Sequence, residues 1–372
     1  MHIGALILAT IIPLFVLYAI YALDFYEMGT YRSVIICFVW GGIAFVLARF
    51  INRGVYFTHL ISYPDITRYF APVVEEILKA IILVYLVRRL DFTYFVDGAI
   101  YGFAVGIGFA IFENYEYILT TPGPGLGIAI ARVLSVNLIH ASATALVGVT
   151  LGLARFKHTS GRLVLLLFGL AAAILLHGIF NNIVTRDIPG PILIYAAILG
   201  LSAVGFIVFL ILRGLGEQRS WIEEKLGPAD RVTTGEARIV YRLEDVRKLL
   251  EPVRGMFGEE KSNQIEQFLI VQARLGILRK TLDKLPDEKM RQEVEQQITD
   301  LRVEMDQARR TVGSYAMLYV RNIFPEETSP LWSLLESRIQ DRIQAKSTTA
   351  GDNLFTSLEQ RLTQRSAEQD DA

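Results

Sequence analysis

Seven runs of apolar residues, each near the length a helix needs to cross a bilayer, fill the first 213 positions: Ile3–Leu23, Val34–Ala48, Tyr69–Val87, Phe95–Leu119, Leu126–Ala154, Leu163–Val184 and Ile192–Leu212. A hydrocarbon core of roughly 30 Å takes about 20 residues of helix. The intervening segments carry turn chemistry, as at Tyr63-Pro64-Asp65, Thr121-Pro122-Gly123-Pro124-Gly125 and Ile188-Pro189-Gly190-Pro191. Charge follows the same division. Of 37 Lys+Arg and 38 Asp+Glu, 23 lie in residues 1–213, leaving 52 for residues 214–372. This split excludes a single water-soluble globule. It predicts an all-α, polytopic membrane helix bundle of about seven transmembrane helices over residues 1–213. A soluble, cytoplasmic helical domain (214–345) and a disordered tail (346–372) follow. The first run has neither a basic n-region nor a clear small-residue cleavage site and reads as a retained helix. A net charge of −1 offers nucleic acid no basic footprint, so the partner expected of such a surface is the lipid bilayer. A single cysteine, Cys37, excludes a disulfide framework and cysteine-based zinc sites.

Lysine and arginine in the loops set orientation. With the C-terminal region inside, the inner loops hold Arg32, Arg88, Arg89, Arg155, Lys157, Arg162 and Arg213, against Arg49, Arg53, Arg68 and Arg186 outside. Seven against four favours an outer N-terminus. Beyond Gly214, the segments Glu244–Arg254, Lys261–Leu285 and Asp287–Phe324 space apolar residues among dense mixed charge, as amphipathic helices do, with Pro286 in the first turn of the last. The stripe Ile265, Phe268, Val271, Leu275 and Leu278 can pair with Val294, Ile298, Leu301 and Met305 in a helical hairpin or short coiled coil, suited to regulation or self-association.

The informative residues are the ionisable ones at bilayer depth, each costing several kcal/mol and therefore a functional hypothesis. The third run carries Glu75, Glu76 and Lys79; the fourth Phe109, Glu113 and Asn114; the fifth Arg132, Asn137, His140 and Thr144; the sixth His177, Asn181 and Asn182. At about 100° per residue, Glu75, Glu76 and Lys79 share one face, and His177/Asn181, His140/Thr144 and Phe109/Glu113 each lie one turn apart on one stripe. At about 1.5 Å per residue, Glu75, Glu113 and His177 fall at one level near one membrane face, with His140 reaching up from deeper. Bland readings exist for each residue. Lys79 can merely neutralise Glu75 or Glu76, Arg132 can pair with Glu113 or Glu116 or reach the interface, and Asn114 and Asn182 can be interhelical glue. Two histidines and three glutamates at compatible depth are harder to explain singly. His2, His59 and His158 lie at the start or in loops and carry no expected role.

A carboxylate and an imidazole in a low-dielectric pocket can hold a water and take its proton, while a second histidine with an asparagine one turn on can stabilise an oxyanion. The same groups could hold zinc through His140, His177 and Glu113, with another glutamate as base. No His-Glu-x-x-His helix supports that reading, so no cofactor is favoured and zinc is the alternative. No Gly-x-Ser-x-Gly elbow is present, and Cys37 has no neighbouring histidine. An ion-coupled transporter or a binding protein would also explain buried charge, although no internal repeat is evident.

Taken together, Glu75-Glu76-x-x-Lys79, Phe109-x-x-x-Glu113-Asn114, His140 with Thr144 and Gly148, and His177-x-x-x-Asn181 resemble the four motifs of the PrsW intramembrane proteases. That family is similar to the CAAX prenyl endopeptidases and bacteriocin-processing enzymes. The resemblance covers about residues 60–185. It implies a multi-pass plasma-membrane protease of a prokaryote that makes the first cut in a single-pass membrane protein such as an anti-sigma factor, on its extracytoplasmic side, in a stress response. Carried over by position, Glu75 and Glu76 supply the base and its support, and His177 and Asn181 the oxyanion donors. Glu113 stands where the prenyl endopeptidases have histidine, so the resemblance passes the water-positioning task to His140. The supporting residues are Lys79, Phe109, Asn114 and Arg132.

Overall fold

The computed structural model describes residues 2–121, 125–185, 192–227, 234–240 and 250–322, with Val232 and Lys248; its regular structure is entirely helical. The expected tail at 346–372 lies outside the described residues. In chain order come α1 (His2–Tyr21), α2 (Tyr31–Phe57), the single turn α3 (Tyr63–Asp65), a π-helical turn (Ile66–Phe70), α4 (Ala71–Leu86), α5 (Phe95–Thr120), α6 (Gly125–Val133), α7 (Val136–Ala154), α8 (Thr159–Val184) and α9 (Ile192–Lys225).

Among the described residues, six helices rather than seven are long and apolar enough to cross a membrane, counting α6–α7 as one span, Gly125–Ala154. The missing seventh is α4. Its 16 residues rise about 24 Å and include Glu75, Glu76 and Lys79. α3 and the π turn extend it N-terminally without a break, and Pro72 explains that turn. The Ala71 N–H bonds to the Ile66 carbonyl, five residues back, and Pro72 has no N–H to continue the ladder.

α5 and α7 form the interior, with 94% and 83% of an 18-residue apolar window buried in their spans, while α1, α2, α8 and α9 expose long apolar faces around them. Their closeness comes from a stripe of glycines. A Cβ at Gly98, Gly102 or Gly106 of α5 would overlap the backbone carbonyl of Gly148, Thr144 or His140 of α7. On the opposite side of α5, a Cβ at Gly108 would overlap the Phe38 carbonyl of α2. Small residues let helices in lipid approach backbone to backbone, where dispersion rather than the hydrophobic effect drives association. The stripe thereby fixes the register of His140 against Glu113.

The expected boundary after residue 213 falls inside one continuous helix: α9 passes through Gly214, which lies against Phe95 and Val96. Beyond it come α10 (Thr234–Val240), α11 (Glu251–Phe257), α12 (Glu259–Lys284), α13 (Glu288–Val312) and α14 (Ser314–Asn322). All nine residues of the two predicted stripes are buried, and α12 packs on α13 as a hairpin within the chain. Two details differ from expectation. Asp287, not Pro286, opens α13, its carboxylate accepting the Met290 N–H at 3.0 Å. The helix expected to reach Phe324 breaks at Gly313, whose φ of 85° suits only glycine. α12 docks on α9 through Gly276 against Ile222, Lys225–Asp283 and Lys280–Glu224 ion pairs of 2.6 Å, and the Lys284 ammonium 4.0 Å from the Trp221 ring. Trp221 in turn meets Tyr94 and Phe156 at the start of α5 and the end of α7. The C-terminal helices therefore brace the end of the bundle opposite the charged groups of α4, α5 and α8.

Candidate active site

Four helices carry the buried charge to one place, as the stripe geometry requires. Glu76, fully buried on α4, accepts three donors. Lys79 Nζ (2.8 Å) and His177 Nδ1 (3.0 Å) reach its Oε1, and Thr144 Oγ1 (3.2 Å) reaches its Oε2. Lys79 Nζ also donates to His140 Nδ1 at 2.8 Å and stands 3.9 Å from the centre of the Phe109 ring. The ion pair is desolvated on both sides, so these further contacts are what make it tolerable.

The hydrogen-bond partners assign the role of Nδ1 in each imidazole. A lysine ammonium only donates, so His140 Nδ1 accepts and its Nε2–H points to Glu113 Oε2, 3.0 Å away. A carboxylate only accepts, so His177 donates from Nδ1 to Glu76. In its neutral form the ring keeps its lone pair on Nε2, which faces Glu75 Oε2 at 3.8 Å. That Oε2 is buried without a hydrogen-bond partner, while Oε1 accepts Asn52 Nδ2 at 3.3 Å. The two rings meet edge to face, 4.6 Å apart. The site therefore presents two facing acceptors, Glu75 Oε2 and His177 Nε2, held from behind by Asn52 and Glu76.

Glu113 belongs to an adjoining network. Arg132 Nη2 lies 2.5 Å from its Oε2, Arg132 Nε donates to Asn114 Oδ1 at 2.8 Å, and Asn114 Nδ2 donates to Asn137 Oδ1 at 2.8 Å. Of the two partners considered for Arg132, Glu113 is the observed one; Glu116 pairs with Arg49. Arg132 reaches Glu113 because the fifth apolar run is two helices, breaking between Val133 and Val136.

The structure brings Glu75, Glu76, Lys79, Phe109, Glu113, His140 and His177 together, with Asn114 and Arg132 behind Glu113. Asn181 stands apart. Its Nδ2 donates to the Thr67 carbonyl at 2.9 Å, the group that Pro72 leaves without a donor in the π register. Asn182 donates to the Gly178 carbonyl of its own helix. Sequence reasoning missed Asn52, because the second apolar run ends at Ala48 while α2 continues to Phe57.

The donor set fits a metal ion. Glu75, His140 and His177 each offer one ligand atom, all within 4.8 Å of one another. Tetrahedral zinc, with bonds of about 2.0–2.2 Å, places its ligand atoms about 3.4 Å apart. Glu75 Oε2 and His177 Nε2 are close to that spacing and free of other partners, whereas His140 would have to release Lys79 or Glu113. The carboxylate in this set is Glu75, not the expected Glu113, whose Oε2 is bonded to Arg132.

A carboxylate–imidazole–ammonium network buried inside a bundle of membrane-length helices defines a multi-pass membrane protein built around an internal polar site. Residues 29–213 match the family model described as "PrsW family intramembrane metalloprotease", and the membrane domain of this chain belongs to the PrsW family. The chain is similar to "Protease PrsW" of Bacillus subtilis (strain 168), 38% identical over 114 residues, which cover 30% of this chain and 50% of that protein. It thus spans about half the length of the curated relative it matches. No solved structure matches it.

Proposed function

We propose that this chain is an intramembrane endopeptidase that makes the first cut in a single-pass membrane protein, an anti-sigma factor in the reading the resemblance implies, using water activated between Glu75 and His177. The observation that carries the proposal is the facing pair of acceptors 3.8 Å apart, buried and backed by fixed partners. A water donating one hydrogen to each acceptor leaves its own lone pairs free to attack a carbonyl carbon. Glu75 takes the proton as the hydroxyl adds, then returns it to the leaving amine, so charge and atoms balance. Glu76 is a positioning residue: it fixes the His177 tautomer that keeps Nε2 an acceptor. Lys79 holds Glu76 and His140 in register, and Arg132 does the same for Glu113. Asn181 serves as an oxyanion donor only by exchanging the Thr67 carbonyl for that of the substrate.

The triad Glu75, His140 and His177, together with the family description, favours a second reading in which zinc is resident. Bound there, zinc would lower the pKa of a ligated water and polarise the scissile carbonyl. Purified wild type and Glu75→Gln, each incubated in detergent with single-pass peptides, with and without chelator, separate the readings by mass spectrometry of the fragments. Cleavage by wild type alone and indifferent to chelator establishes the glutamate mechanism. Cleavage stopped by chelator and restored by zinc establishes the metal. Undiminished cleavage by Glu75→Gln refutes both.

A further inference from the structure

A groove of about 620 Å³ runs along the lipid-facing side of the molecule between the π turn with α4 and the C-terminal half of α8. Its walls include Pro72 and Val73 on one side and Gly178 and Ile179 on the other, with Arg68 and Asn182 also lining it. Unlike the glycines between α5 and α7, Gly178 supports no close approach. A Cβ there would meet only the Arg68 carbonyl oxygen, at 3.7 Å. The residue keeps a channel open rather than letting two helices touch.

Three observations say what lies in it. First, the groove is continuous with the site: Pro72 and Val73 stand within one helical turn of Glu75, and Gly178 directly follows His177. Second, Val73 and Ile179 are exposed apolar side chains, suited to an apolar occupant. Third, hydrogen-bond donors line it. Arg68 bridges the π turn to Thr185, just past α8, with Nε donating to Thr185 Oγ1 at 2.9 Å and Nη2 to the Thr185 carbonyl at 2.7 Å. An acyl chain has no use for donors, whereas a peptide leaving helical structure inside a bilayer has carbonyls that need them.

We propose that this groove is the docking site for the apolar segment of the single-pass substrate, which enters from the lipid between the π turn and α8 as Arg68 exchanges Thr185 for a substrate carbonyl. The proposal rests on the endopeptidase reading. Two arms test it with the full-length protein in nanodiscs of phosphatidylethanolamine and phosphatidylglycerol. In the first, Gly178→Leu, whose Cβ clears the neighbouring backbone, fills the groove and raises KM about tenfold or more with kcat little changed. In the second, p-benzoylphenylalanine replaces Ile179 and, as a control, the exposed Leu167 of the same helix. Irradiation with biotinylated single-pass peptides gives a peptide adduct at position 179 and none at 167. An unchanged KM in a folded Gly178→Leu variant, or a lipid adduct alone at position 179, overturns the groove. Absence of cleavage by wild type would strike the endopeptidase reading, and the cross-link would still decide the groove.

Discussion

Replacing Lys79 by methionine tests whether the buried network is one coupled unit. The ammonium has no solvent access and holds Glu76 and His140 at 2.8 Å each. Removing one partner of a buried ion pair costs about 3–5 kcal/mol, because the remaining charge keeps its desolvation penalty without the attraction that offset it. Glu76 retains the His177 and Thr144 donors, which places the expected loss near the lower end, about 3 kcal/mol. Glu76→Leu alone leaves the lysine charge buried and costs about as much. In the double variant no unpaired ion remains. What is left is the His177 Nδ1–H and the His140 Nδ1 without their partners, about 1–3 kcal/mol for each buried group left unsatisfied. The double variant is therefore less destabilised than the two single losses combined, by a coupling of up to about 3 kcal/mol, the range found for residues in one network. The assay is unfolding by denaturing detergent, followed by tryptophan fluorescence. Trp40 is the reporter, since its Nε1 donates to the Leu78 carbonyl at 3.0 Å beside Lys79. Additive losses in the double variant would refute the coupling and, with it, the shared burial of the pair.

Three further outcomes follow from the geometry. Asn181→Leu removes the donor to the Thr67 carbonyl at a cost of about 1–3 kcal/mol, and Pro72→Ala in the same chain, which supplies the missing N–H, recovers part of it. Hydrogen exchange over residues 66–70 reads both, and a Pro72→Ala change that leaves the defect intact contradicts the account of the π turn. Gly102→Ala sets a Cβ against the Thr144 carbonyl and costs about 1–3 kcal/mol, displacing His140 with α7; a thermal midpoint equal to wild type would deny the backbone contact. Burial pushes the Asp24 carboxyl, in the loop between α1 and α2, up to about 6, against the lowering effect of the Gly29 and Met28 N–H groups. The folded state thus binds this proton more tightly than the unfolded chain does, so its stabilising contribution is full below about pH 4 and lost as pH rises through 6. Thermal midpoints of wild type should fall relative to Asp24→Asn across that window; parallel curves exclude Asp24 as the source.

Hydropathy and helical spacing made most of the membrane domain legible, because both depend on neighbours only a few residues apart. Long apolar runs have to become helices in a bilayer, where no water satisfies the backbone. Glu75, Glu76 and Lys79 on one face, with Phe109/Glu113, His140/Thr144 and His177 on the other helices, anticipated the convergence that the structure shows, while Asn181 stands apart. The same local logic located the α12–α13 hairpin through its two apolar stripes. It counted α4 with the other spans, whereas its 16 residues with Glu75, Glu76 and Lys79 fall short of the length and apolar content of the six described spans. It cut α2 short at Ala48, since hydropathy ends where Asn52 begins although the helix does not, and so lost the donor to Glu75.

What the sequence by itself determined is which residues are buried together: ionisable groups inside apolar helices have few stable options other than one another. Tertiary structure decided how they divide. Lys79 chose Glu76, Arg132 chose Glu113 across the break between α6 and α7, and Asn181 was drawn to a carbonyl orphaned by Pro72. Glu75 was left facing His177 with an oxygen unpaired. Those choices depend on distances of a few tenths of an ångström set by glycine contacts between α5 and α7, and such contacts exist only once residues far apart in the chain have packed.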